Sequence, residues 1–179
     1  MNDITEELAK LHILNGADFI RQLRLIVSFR EFQPVAGEIN IFSAIGQENG
    51  DYPALLNAAR KAVTYGYTVY ILPNPRGIRT ADFIFERKGV YKMFDLKTIT
   101  GQNSVGNRLK ESIGQSNRVL LNLCCNYNIR NLTSEILHYF ESYSNAQEVL
   151  LFSGGRHLSI GRNKAESKGF IRLMMNTFK

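Results

Sequence analysis

A short, almost wholly apolar run at residues 119–124, with polar residues on both sides, restricts the fold of this chain most. A strand with one face in water alternates apolar and polar residues, whereas a strand that is covered on both faces does not. The run therefore predicts a buried central strand. The patterns on either side of it decide the fold class.

Helical and strand patterns alternate before this run. Apolar residues recur at helical spacing after a natural N-cap at Asp51, and Gly66 ends that helix. β-branched and aromatic residues then predict three strands, and a second helix precedes the central strand. The predicted helices cover residues 53–65 and 104–114, and the predicted strands cover 67–72, 81–86 and 91–98. The order α-β-β-β-α-β over the core residues 48–124 predicts a mixed α/β (α+β) fold.

One tight turn is specified by its composition. The last two of the three strands are separated by Arg87-Lys88-Gly89, which predicts a hairpin with Gly89 at positive φ.

The two ends of the chain flank this core. Residues 1–45 are predicted as an N-terminal helical extension: a helix over 3–29 interrupted near Asn15–Gly16, a loop around 33–37 and a short strand over 39–45. The main domain then covers 46–179. After the core we expect a helix over 132–143 capped by Asn131 or Thr133, a hairpin of residues 148–152 and 157–160, and a basic C-terminal helix.

Composition narrows the class of protein. The formal net charge is +6 and the pI is about 9.4, so a polyanionic partner is plausible. The two cysteines, Cys124 and Cys125, are adjacent and cannot join distant segments, which argues against a secreted disulfide scaffold. No apolar run approaches 18 residues and the first residues are polar, so we expect a cytoplasmic protein without a membrane partner.

Two carboxylates and a lysine stand out within the core. Asp82 lies at the start of an otherwise apolar strand, where a charge is out of place. Asp95 and Lys97 are two residues apart on the next strand, so they project from the same face. The hairpin would bring that face close to Asp82. Clustered carboxylates favour a hard divalent cation, and the adjacent ammonium would stabilise charge on a phosphate. The alternative is a surface ion pair between Asp95 and Lys97.

The stretches T-A-D-F-I-F and M-F-D-L-K-T-I resemble the strand-borne motifs of the PD-(D/E)xK nuclease superfamily, whose core has the same element order. Glu48-Asn49, Gly66-Tyr67-x-Val69 and Gln115-x-x-Arg118-Val119 are, more narrowly, similar to the C-terminal tRNase domains of CdiA-type contact-dependent growth-inhibition toxins. Ala81 replaces the proline of "PD", and Asp51 competes with Glu48 as the acidic residue of the first helix. The position of Lys97 follows the superfamily pattern more than the toxin pattern.

The resemblance implies a restriction-endonuclease-like fold and a metal-dependent nuclease. Its catalytic residues would be Glu48, Asp82, Asp95 and Lys97, with the three carboxylates as metal ligands. Mg²⁺ is the expected metal, and Mn²⁺ or Zn²⁺ are alternatives. The toxin-like motifs favour RNA of the tRNA kind as substrate and an immunity or inhibitor protein as partner. A DNA endonuclease of the same fold and a non-catalytic nucleic-acid-binding or mobile-element protein remain alternatives.

Four further side chains are candidates for substrate binding. Arg108 and Gln115 are seven residues apart, on the predicted helix 104–114 and directly after it, so they would share a face that contacts phosphate. Arg76 and Arg79 border the connection between the first two core strands and would hold the nucleic-acid backbone. A solvated helix face is the alternative for the first pair.

Overall fold

The computed structural model describes residues 3–45, 51–75, 77–101 and 105–178. Their helices are α1 (Ile4–Ala9), α2 (Gly16–Val27), α3 (Tyr52–Thr64), α4 (Val105–Glu111), α5 (Ile129–Ser142), α6 (Arg162–Ala165) and α7 (Phe170–Phe178), with a 3-10 helix at Lys10–Ile13. Their strands are β1 (Gln33–Pro34), β2 (Ile41–Ser43), β3 (Thr68–Ile71), β4 (Phe83–Arg87), β5 (Val90–Ile99), β6 (Arg118–Leu123), β7 (Glu148–Ser153) and β8 (Arg156–Gly161). None of the helices in these ranges is long and apolar enough to cross a membrane.

The chain forms two compact units, residues 1–94 and 95–179, and the division falls inside β5. In the first unit, β2 is parallel to β3, and β4 is antiparallel to both β3 and residues 90–94 of β5. Helices α1 and α2 bury Leu8, Leu23 and Ile26 in one apolar cluster with Ile84 of β4. Burial of these side chains supplies the main stabilisation of this unit.

The hairpin between β4 and β5 forms where the composition placed it. Lys88 and Gly89 are its two turn residues and have φ values of 53° and 78°. Positive φ at both central residues is typical of the type I′ turn, which matches the twist of paired strands. The hairpin prediction is confirmed. Lys88, unlike Gly89, has a Cβ and therefore bears the strain that L-residues meet at positive φ.

In the second unit, β6 lies between two parallel neighbours, as the apolar run predicted. It pairs with residues 95–99 of β5 on one side and with β7 on the other, and β8 is antiparallel to β7. Val119 and Leu121 of β6 are fully buried in a cluster to which α4, α5 and α7 contribute. The mixed α/β class and the order α3-β3-β4-β5-α4-β6 are confirmed.

Two boundary predictions in the segments that flank the core were wrong. Residues Gln33–Pro34 form a two-residue strand rather than a loop, because they pair with β2 at an edge where the missing N–H of proline costs little. Helix α5 begins at Ile129, where the Asn128 side chain accepts a hydrogen bond from the Asn131 N–H at 3.0 Å. The predicted C-terminal helix with Phe170, Leu173 and Met174 is confirmed as α7, and the short helix α6 precedes it.

The sequence predicts an N-terminal extension over residues 1–45 and a main domain over 46–179. The division into two compact units at residue 94 does not test that boundary. It stays a prediction.

Candidate active site

Asp95 and Lys97 form a buried ion pair in the second unit. The Lys97 Nζ lies 3.2 Å from the Asp95 Oδ2, and the two side chains are 10% and 2% exposed. Their register partners on β6 are Val119 and Leu121, so the pair adjoins fully buried apolar residues. The alternative of a surface ion pair is therefore wrong.

Burial changes the contribution that this ion pair makes to the stability of the fold. Removing two charges from water costs several kcal/mol per ion, and the attraction between them rarely returns more than that cost. Apolar residues of similar volume would stabilise the fold equally well or better. The buried pair is therefore weak evidence of a stabilising role.

Sequence reasoning missed two polar residues beside Asp95. Tyr139 of α5 is 6% exposed and forms a hydrogen bond with Ser112, which is fully buried. Burial raises the pKa of Tyr139 above its ordinary value, the Ser112 hydrogen bond lowers it, and the nearby Asp95 charge raises it. Tyr139 lies at core spacing with Ile136 and Phe140, so its sequence pattern indicated only packing.

Asp82 lies one residue before β4 rather than on it. Its N–H donates to the Phe94 carbonyl at 3.1 Å, and its own carbonyl accepts from the Leu72 N–H at 2.9 Å. The backbone of Asp82 therefore continues the pairing of β4 with β3 and β5. The prediction that Asp82 enters a strand adjacent to the strand of Asp95 is confirmed by this pairing. Its role as a metal ligand stays a prediction.

The predicted substrate-binding residues are not all where the pattern placed them. Helix α4 ends at Glu111 and continues as a tight turn in which the Ile113 N–H donates to Lys110 and the Gln115 N–H to Ser112. Gln115 therefore lies beyond the helix and shares no helix face with Arg108, contrary to the prediction.

The remaining candidates are placed as follows. Arg108 forms an ion pair with Glu111 at 3.0 Å, and Arg79 is exposed. Glu48 and Arg76 lie outside the described residues.

The ligand chemistry at Asp95 fits a hard cation. In the ranges that the structure describes, no three His, Cys, Asp or Glu side chains are grouped closely enough to hold a metal ion. Mg²⁺ does not need such a group, since one or two carboxylates suffice when water and substrate phosphate complete its six oxygen ligands.

Comparison with known proteins gives little. No protein-family model matches the sequence, and no curated protein matches it significantly. Among solved structures, a chain of the "CdiA-CT/CdiI toxin and immunity complex from Burkholderia pseudomallei" is similar over 65% of this chain and 92% of that chain, at 16% identity and a TM-score of 0.41. A likeness this distant assigns neither a family nor an activity to the present chain.

Proposed function

We propose that this protein is a metal-dependent, toxin-type nuclease that hydrolyses phosphodiester bonds in RNA. The observation that carries the proposal is the buried Asp95–Lys97 pair on β5, within the chain order α3-β3-β4-β5-α4-β6. Phosphodiester hydrolysis needs a carboxylate to hold a cation and a fixed positive charge near the phosphate. Asp95 and Lys97 supply both.

Each residue of the pair has a separate role in this proposal. Asp95 would hold the divalent cation, with Asp82 and Glu48 as further ligands. When bound, the cation polarises the phosphate and makes a water molecule more nucleophilic. Lys97 offsets the negative charge that develops on the phosphate oxygens as water adds to phosphorus and the leaving oxygen takes up a proton. In the structure the Asp95 carboxylate lies 3.2 Å from the Lys97 Nζ and forms an ion pair with it.

RNA is the preferred substrate because the motifs around Glu48, Gly66 and Gln115 resemble the CdiA-type tRNase domains. The same resemblance supports an immunity protein as a partner. A nuclease of this kind needs such a partner in the cell that makes it, since its substrate is present there.

The test is a cleavage assay with the purified chain on tRNA, other RNA and duplex DNA, each with Mg²⁺, Mn²⁺, Zn²⁺ or EDTA. We expect tRNA to be cut with Mg²⁺ and left intact with EDTA. Asp95→Asn keeps nearly the same shape but removes the charge, so cleavage should fall by at least a hundredfold. Asp18→Asn, an exposed carboxylate in an ion pair with Arg21, is the matched control and should cut normally.

Each alternative predicts a different result. Cutting confined to duplex DNA would establish the DNA endonuclease instead. Absence of metal-dependent cutting on every substrate would refute the nuclease and leave a binding protein. Equal cutting by wild type and Asp95→Asn would remove Asp95 from the site.

A further inference from the structure

The positive charge of the chain is concentrated at its C-terminal end. Residues 156–179 contain six basic side chains and one acidic side chain, so they carry +5 of the formal net charge of +6. The other 155 residues contain sixteen basic and fifteen acidic side chains. This segment lies outside the core 48–124, and the proposed catalytic residues do not account for it.

The structure separates these cations by what they contact. Arg162 is directed inward: its guanidinium donates to the carbonyls of Phe140, Tyr143 and Ala146 near the end of α5. Glu166, the acidic residue of the segment, lies 3.4 Å from that same guanidinium. The acidic residue of the segment, Glu166, therefore pairs with Arg162, the cation that bonds to the end of α5.

Four other cations among the described residues of this segment face solvent. Lys164, Lys168 and Arg172 are exposed, and the Lys164 ammonium donates to the Ser159 carbonyl of β8 at 2.8 Å. Arg156, also exposed, donates to the Thr177 carbonyl near the end of α7 at 3.0 Å. These two hydrogen bonds join α6 and the end of α7 to β8, and Lys168 and Arg172 lie in the segment between the two joined points. We call the surface of Lys164, Lys168 and Arg172 the basic surface.

We propose that the basic surface binds the phosphodiester backbone of a nucleic acid. It deepens the proposed function by giving the substrate a docking site separate from Asp95 and Lys97. Contacts to phosphate hold a nucleic acid in register and carry no sequence information, which suits a surface of exposed cations. Phosphate is the anion that this charge density favours, since each neutralised phosphate releases a counterion.

The test measures binding rather than cutting. Fluorescence anisotropy with a labelled 20-nucleotide single-stranded RNA, and with duplex DNA, is recorded in EDTA from 50 to 200 mM KCl. The slope of log K against log[KCl], where K is the association constant, is negative. The triple variant Lys164→Gln/Lys168→Gln/Arg172→Gln should reduce its magnitude by about 2 on single-stranded RNA, since each lost contact removes about 0.7. The control triple Arg21→Gln/Arg30→Gln/Lys88→Gln makes the same change of net charge at exposed positions of the first unit. It should keep the wild-type slope.

Every outcome decides the proposal. A reduced slope in the first triple alone, on either nucleic acid, supports the basic surface. Equal slopes in wild type and both triples, or equal reductions in both triples, overturn it. Binding of poly-glutamate without binding of RNA or DNA also overturns it in favour of an acidic protein partner. A chain that binds through this surface but cuts nothing refutes only the nuclease, and a chain that cuts while the first triple binds like wild type refutes only the docking site.

Discussion

Neutralising one half of the Asp95–Lys97 pair should destabilise the protein far more than the same change in an exposed pair. At 3.2 Å and an effective dielectric constant of about 20, the attraction between the two charges is about 5 kcal/mol. Much of that attraction offsets the free energy of removing the two charged groups from water. Asp95→Asn removes the attraction and leaves the Lys97 ammonium buried without its counter-charge, so the free energy of unfolding should fall by about 3 kcal/mol.

The assay is urea unfolding of three variants at neutral pH, followed by circular dichroism. Asp18→Asn breaks an ion pair of similar length, 3.0 Å, whose side chains are 66% and 74% exposed, and should cost less than about 1 kcal/mol. The double variant Asp95→Asn/Lys97→Met removes both charges and should recover to within about 1 kcal/mol of wild type. If Asp95→Asn costs no more than Asp18→Asn at an unchanged m-value, the pair is solvated in solution and the reasoning from burial is refuted.

Four other outcomes are expected. Lys97→Met should lower kcat for RNA cleavage at least a hundredfold, and equal rates would remove Lys97 from the chemistry. Tyr139→Phe should lower kcat severalfold at unchanged KM if Tyr139 positions Asp95, whereas Tyr143→Phe should change neither; a change in KM alone would argue against positioning. Nothing lies within 4 Å of a Cβ built at Gly89 or at Gly101, and only Gly89 has a positive φ, of 78°. Gly89→Ala should therefore cost about 1 kcal/mol in urea unfolding, and Gly101→Ala should cost little. Burial and the hydrogen bond to Glu135 raise the pKa of Tyr127 to about 12, so its contribution to stability is present below pH 10 and lost as pH rises through 12. Unfolding free energy should therefore fall more steeply over that range in wild type than in Tyr127→Phe.

The order of helices and strands could be predicted because the elements have their own apolar periods and glycines mark some of their ends. Gly66 and Gly89 both adopt the positive φ that their positions required. The spacing of Asp95 and Lys97 also showed correctly that they share a face of a strand. That face could not be predicted as buried, because the residues covering it, such as Tyr139, come more than forty positions later.

The ends of helices were harder to predict for a similar reason. Asn128, Asn131 and Thr133 all have side chains that can cap a helix. The structure shows that Asn128 is the N-cap, because its side chain accepts a hydrogen bond from the Asn131 N–H. The predicted helix is longer than α4 because Ser112 and Ile113 continue the helical spacing of Val105 and Leu109. Their backbone N–H groups nevertheless bond three residues back, which tightens the chain into a turn.

Arg162 has a consequence for how this protein can be shortened. The last carbonyls of a helix have no donors within it, and here one guanidinium serves Phe140 and Tyr143 together with Ala146 beyond them. A chain cut before residue 162 would leave those three oxygens without that donor and would uncover the apolar side chains that α7 packs against. The C-terminal segment is thus a structural part of its unit and not a removable tail, so deletion would report on unfolding rather than on charge.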